Sequence, residues 1–116
     1  MLLRLEASDR LTVTTNDFTF VPETSVLFFR TNDQWGAIDL DRKKLLNHQS
    51  APWIPIIRRC GDVIIIEDDL TAWSCDLYGH VIDKVQIDPP SEATEFEDHI
   101  EYNSPVFGKQ TLRFKR

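Results

Sequence analysis

The chain has 116 residues, 13 Lys plus Arg against 19 Asp plus Glu, a formal charge of −6 and 41% hydrophobic residues. That length argues for one domain, and no apolar run approaches the roughly 20 residues that span a bilayer, which argues against a two-domain enzyme or a helical membrane channel. The acidic balance argues against a generic nucleic-acid binder, which needs a basic face for phosphates.

The dominant periodicity is strand-like. Leu11 to Thr15 is rich in β-branched residues, Asn16 and Asp17 punctuate, and Phe18 to Val21 alternates, so the two runs read as a hairpin. Ser25 to Thr31 predicts a strand, Asn32-Asp33 a turn, Gln34 to Leu40 the return, and Lys44 to Leu46 an outgoing strand. Residues 48–55 read as a connector, because Pro52 and Pro55 lack amide donors. Asp62 to Glu67 contains four consecutive β-branched residues, which predicts a strand buried on both faces. Asp68-Asp69 turns it, Thr71 to Leu77 returns, Tyr78-Gly79 turns again and His80 to Ile87 leaves. Asp88-Pro89-Pro90 ends that strand, and Ser91 is placed to cap a helix. The spacing of Ala93, Phe96, Glu97 and Ile100 predicts two amphipathic helical turns over 92–100, with an acidic loop as the alternative. Val106 to Phe114 predicts a last strand or hairpin arm, with Gly108 as bulge or turn.

These connections are too short for crossovers, so the strands pair antiparallel. The expected architecture is one mainly β domain over 1–116, a meander forming a small sandwich or a partial-propeller-like sheet, with at most one short helix near 91–100.

The middle of the chain looks duplicated, over about 28–47 and 64–85. Ile38-Asp39-Leu40 and Cys75-Asp76-Leu77 lie 37 residues apart, and Trp35 and Trp73 lie 38 apart. Such a period, near 40, belongs to repeat β architectures. Trp35, Gly36, Ile38 and Asp39 of the first copy resemble the bacterial WG-repeat pattern, roughly W-G-x-I-D-x-x-G-x-x-V. The second copy keeps Trp73, Asp76, Gly79 and Val81, with Ser74 where the pattern has glycine. The resemblance covers residues 28–85 and implies a hairpin scaffold that presents loops; it transfers no catalytic residue.

Chemistry-bearing patterns are sparse. The two cysteines, Cys60 and Cys75, form no CxxC pair and read as buried thiols in a reducing cytosol. The N-terminal Met-Leu-Leu-Arg-Leu-Glu is interrupted by Arg4 and Glu6 and does not read as a secretory signal. There is no G-x-S-x-G elbow and no phosphate-cradling glycine loop, so the expectation is a non-enzyme with no cofactor or metal.

Charge is unevenly placed. Residues 88–101 hold Asp88, Glu92, Glu95, Glu97, Asp98 and Glu101 with no Lys or Arg, so this one segment carries a charge equal to that of the whole chain. Such a run is a solvated surface or a face that steers a basic partner. In the second case Phe96, Ile100 and Tyr102 would serve as anchors, with Trp53 in the proline-flanked connector and the turn residues Glu67, Asp68 and Asp69 adding to the surface. The expected function is therefore stoichiometric binding of another protein in the cytoplasm, without nucleic acid or membrane. Its concrete form is an immunity protein that inhibits a basic bacterial toxin domain. The alternative is a structural or adaptor domain that self-assembles or scaffolds a complex.

Overall fold

The computed structural model describes residues 18–51 and 54–115. The predicted arm Leu11 to Thr15 and the connector residue Trp53 lie outside the described residues. Among the described residues there are eleven strands and no helix. They are β1 (Phe18–Val21), β2 (Val26–Arg30), β3 (Gln34–Asp39), β4 (Lys44–Ser50), β5 (Ile56–Cys60), β6 (Val63–Glu67), β7 (Thr71–Cys75), β8 (Val81–Gln86), β9 (Glu92–Glu95), β10 (His99–Ser104) and β11 (Gly108–Arg113).

They form three open antiparallel meanders. The first sheet has the order β1-β2-β3-β4, the middle sheet β5-β6-β7-β8, and the last β11-β10-β9. Two cores separate them. Val26, Phe28, Trp35 and Ala37 of the first sheet pack on Ile64, Ile66, Trp73 and Cys75 of the middle one. Val63, Ile65, Ala72 and Val85 on the opposite face of the middle sheet pack on Ile100, Tyr102 and Leu112 of the last. The four-residue run Val63 to Ile66 is thus buried on both sides, as its unbroken apolar character requires.

The strands recur at a nearly constant interval. The opening strands of the three sheets start at residues 18, 56 and 92, the second strands at 26, 63 and 99, and the third at 34, 71 and 108. Turn chemistry recurs with them. Asp39 Oδ1 accepts the amides of Asp41 and Arg42 after β3, and Asp76 Oδ1 accepts those of Tyr78 and His80 after β7. Each of these carboxylates folds the chain back by satisfying amides that the ladder leaves open. A register shift sits in the same place, between Ala37 and Ile38 and between Ser74 and Cys75. Directly after the second strand of the first and middle sheets stands a buried polar residue, Thr31 and Asp68 respectively, and in the last sheet the buried Ser104 ends the second strand, β10, itself.

Gly79 fixes how closely the first two sheets approach. Its φ is +90°, and a Cβ there would stand 3.1 Å from Ala37 Cβ and Leu46 Cδ1. Only glycine meets both demands without strain.

Two expectations change. Residues 92–100 are neither helix nor loop but the edge strand β9, a two-residue turn at Glu97-Asp98 and the start of β10. Glu95 pairs with Ile100, and the Phe96 amide donates to the His99 carbonyl at 2.8 Å. The helical spacing misleads because Ala93, Phe96 and Glu97 are all exposed, so only Ile100 of that set has a core to face. The connector also begins later than residue 48, because β4 runs on through His48, Gln49 and Ser50, which pair with Gly36, Trp35 and Gln34.

Candidate protein-binding site

The acidic segment is a hairpin at the outer edge of the last sheet. The chain leaves β8 through Asp88-Pro89-Pro90, and Asp88 Oδ1 fixes that departure by accepting the Val106 amide at 3.0 Å. Strand β10 then alternates with period two. Ile100, Tyr102 and Ser104 turn into the protein, while His99, Glu101 and Asn103 face outward. Glu92 and Thr94 pair with Asn103 and Glu101, which places them on the same outer face. All four residues of β9 are exposed.

At the tip the rings of Phe96 and His99 stack, with centroids 4.6 Å apart and planes at 13°. Asp98 Oδ1 lies 2.6 Å from His99 Nδ1. That hydrogen bond from His99 holds the Asp98 carboxyl below its ordinary range. The stack keeps a 44% exposed phenylalanine in one place beside Glu97 and Asp98. Below it, Glu92, Thr94, Glu101, Asn103 and Lys109 line a shallow open hollow of about 250 Å³, floored in part by Tyr102.

The inner face of the hairpin is tied down by charge. Arg58 Nη1 lies 2.8 Å from Glu95 Oε1, and its Nε lies 3.7 Å from Glu67 Oε1. Glu67 Oε2 accepts the Tyr102 hydroxyl at 2.6 Å. Burial, with the Glu67 carboxylate beside it, pushes the Tyr102 hydroxyl pKa upward, so it stays a donor. One arginine from β5 thus holds carboxylates from β6 and β9 and joins the last sheet to the middle one.

No protein-family profile, curated protein or solved structure matches this chain.

The expected site residues separate into three groups. Glu92, Phe96, Glu97 and Asp98 come together on the exposed hairpin. Glu95 and Glu101 belong to the same hairpin, but their charge meets Arg58 on one side and Lys109, 3.3 Å away, on the other. Ile100 and Tyr102 are each 1% exposed, so both are core side chains and not surface anchors. Glu67 bonds inward between two sheets. Asp68 is only 7% exposed and builds its own turn, its Oδ1 accepting the amides of Leu70 and Thr71 at 2.8 and 2.6 Å. Asp69 is exposed at that turn, Asp88 is half-buried, and Trp53 lies outside the described residues.

Sequence reasoning missed Arg58 and His99. Arg58 acts across 37 positions, and no local pattern marks it. The Phe96–His99 stack follows from hairpin pairing, which the helical reading of 92–100 concealed.

Among the described residues, no group of three or more His, Cys, Asp or Glu side chains is arranged to hold a metal ion, and no helix is long and apolar enough to cross a membrane. Cys75 lies in the first core, where burial pushes its thiol pKa up and keeps it protonated.

Proposed function

We propose that this chain binds another protein one to one through the β9–β10 hairpin, and that the partner is a basic toxin domain which it inhibits as an immunity protein. The observation that carries the reading is the hairpin tip. A fixed, exposed aromatic ring stands beside Glu97 and Asp98, with Glu92 further along the same face. Neither Glu92 nor Glu97 makes an ion pair or side-chain hydrogen bond among the described residues, so their charge faces solvent. Exposed carboxylates accelerate encounter with a cationic surface, and a pre-positioned aromatic ring adds the short-range contact that charge lacks. An acidic hairpin suits the cleft of an enzyme that cleaves nucleic acid, because carboxylates can take the place of phosphates there.

The test is a binding experiment with a purified basic toxin domain, taken first from any open reading frame that neighbours this chain's gene. The wild-type chain forms a one-to-one complex and protects cells that express that domain. The variant Glu92→Lys/Glu97→Lys/Asp98→Lys associates on the order of tenfold more slowly at low salt, and the difference shrinks as salt is added. Equal rates for the two proteins remove the hairpin from the mechanism. Absence of any complex overturns the reading.

A further inference from the structure

Among the described residues, β9 pairs with β10 on one side and with no strand on the other. At the turn the Phe96 amide donates to the His99 carbonyl, and hydrogen-bonded and non-bonded pairs alternate from there. Thr94 and Glu92 therefore direct their amides and carbonyls to Glu101 and Asn103. Ala93 and Glu95 turn theirs the other way, to the open side, where these groups have no hydrogen-bond partner among the described residues. All four residues of the strand are exposed.

The outer strands β4 and β8 differ from β9. Leu46 in β4 and Ile82 in β8 have no partner in the register, so each strand carries a bulge, which spoils an edge as a template for a further strand. β9 pairs without a slip. Its two flanks also differ from each other. On the outer flank stands Glu92, with Glu97 and Asp98 at the tip, and residues 88–101 hold no Lys or Arg. On the inner flank the Glu95 carboxylate is taken by Arg58, and Ala93 offers only a methyl group. Ala93 pairs with Tyr102, whose hydroxyl reaches Glu67, and Glu67 pairs with Ile56. That chain of contacts brings Ile56, 64% exposed, to the same inner flank.

We propose that an extended segment of the protein partner adds to the last sheet along β9, with Lys or Arg at alternate positions and apolar residues between them. The choice of a basic protein rests on the function proposed above; the open edge does not. The backbone groups of Ala93 and Glu95 supply the new ladder. Side chains opposite one another on paired strands share a face. Positions beside Glu92 then meet a carboxylate, and positions beside Ala93 meet its methyl group and Ile56. A second copy of this chain does not suit the edge, because pairing β9 with β9 sets one acidic strand against another, and like charges on adjacent strands repel. The same acids that bar self-pairing leave the edge open to a strand of opposite charge.

The probe is a blocked synthetic peptide, Lys-Val-Lys-Val-Lys-Val-Lys, titrated into the isotope-labelled full chain and followed through its amide resonances and amide exchange. The Ala93 and Glu95 amides shift and gain protection, whereas that of Thr94, already bonded to β10, keeps the protection it had. Ala93→Pro deletes one outward amide that the β9–β10 ladder does not use, and weakens the peptide on the order of tenfold, the usual cost of one hydrogen bond. Methylating every second peptide nitrogen blocks binding in one phase and spares it in the other, because alternate amides of a strand point to opposite edges. That comparison leaves the protein unaltered, so it decides even if Ala93→Pro fails to fold. Absence of peptide binding overturns the proposal. So does binding that survives methylation in both phases, or equal binding of Glu-Val-Glu-Val-Glu-Val-Glu. With the toxin domain itself, a complex that leaves the Ala93 and Glu95 amides unprotected overturns strand addition while toxin binding stands. A peptide ladder on β9 without any toxin complex supports strand addition and removes the toxin.

Discussion

The indole of Trp35 meets that of Trp73 edge-on, with ring centroids 5.6 Å apart and planes at 69°. Each ring comes from the third strand of its own sheet, and together they fill the centre of the first core. Edge-to-face geometry sets the positive rim of one ring against the negative face of the other. Neither indole N–H has a hydrogen-bond partner among the described residues.

Trp73→Ala is therefore expected to destabilise the protein by about 3–5 kcal/mol, the usual loss for a large aromatic truncated in a core. Trp73→Phe costs substantially less, because it keeps most of the packing and deletes a buried donor that lacks an acceptor. Urea denaturation of the two variants measures both. An equal loss for Phe and Ala would show that the indole N–H does contribute.

Gly36 makes a second prediction. A Cβ at this position would lie 2.5 Å from Phe29 Cζ and 2.7 Å from the Asn47 carbonyl oxygen. Gly36→Ala is expected to cost about 1–3 kcal/mol through overpacking. Adding Phe29→Leu relieves only the ring contact, so the double variant recovers part of the loss. Full recovery would mean that the backbone of β4 gives way freely.

The Tyr102–Glu67 contact is a hydrogen bond to a carboxylate between two sheets, at 2.6 Å. A double-mutant cycle with Tyr102→Phe and Glu67→Gln is expected to return a coupling of about 1.5–3 kcal/mol. The coupling comes from equilibrium unfolding of the four proteins, and a value near zero would remove this contact from the account of how the last sheet is held.

Stability also depends on acid. Partial burial of Asp83 pushes its carboxyl up, but the Arg113 amide and guanidinium, at 2.9 and 3.2 Å, outweigh that and leave it lowered. A carboxyl lowered by folding contributes its stabilisation above its unfolded pKa of about 3.9 and loses it as pH falls through the folded value. Asp83→Asn is expected to lower stability at neutral pH and to flatten the acid limb of the stability profile below about pH 4. Parallel profiles for wild type and variant would contradict the linkage.

Much of the fold is legible in the sequence, and for particular reasons. Val63 to Ile66 has no polar position, so it fits only a strand covered on both sides. Asn32-Asp33 and Asp68-Asp69 mark turns whose carboxylate or hydroxyl chemistry is local. The acidic hairpin was hidden because Ala93, Phe96, Glu97 and Ile100 match a helical spacing by coincidence, while the deciding pairing of β9 with β10 is a property of the sheet. Tyr102 looked like an anchor because it stands among acids, but strand alternation turns it inward beside Ile100. The interval of 36 to 38 residues also reaches the third sheet, where β11 has no tryptophan to announce it.

The middle sheet, closed over on both faces, carries one more consequence. The amide protons of its strand β6, paired on both sides, reach water only when the neighbouring strands or sheets part, whereas those of the exposed β9 edge need only local fraying. Deuterium uptake should therefore be slowest at Ile64 to Ile66 and fastest along residues 92–95. The segment that meets solvent most readily is then also the one offered to a partner, so local motion there leaves the centre undisturbed.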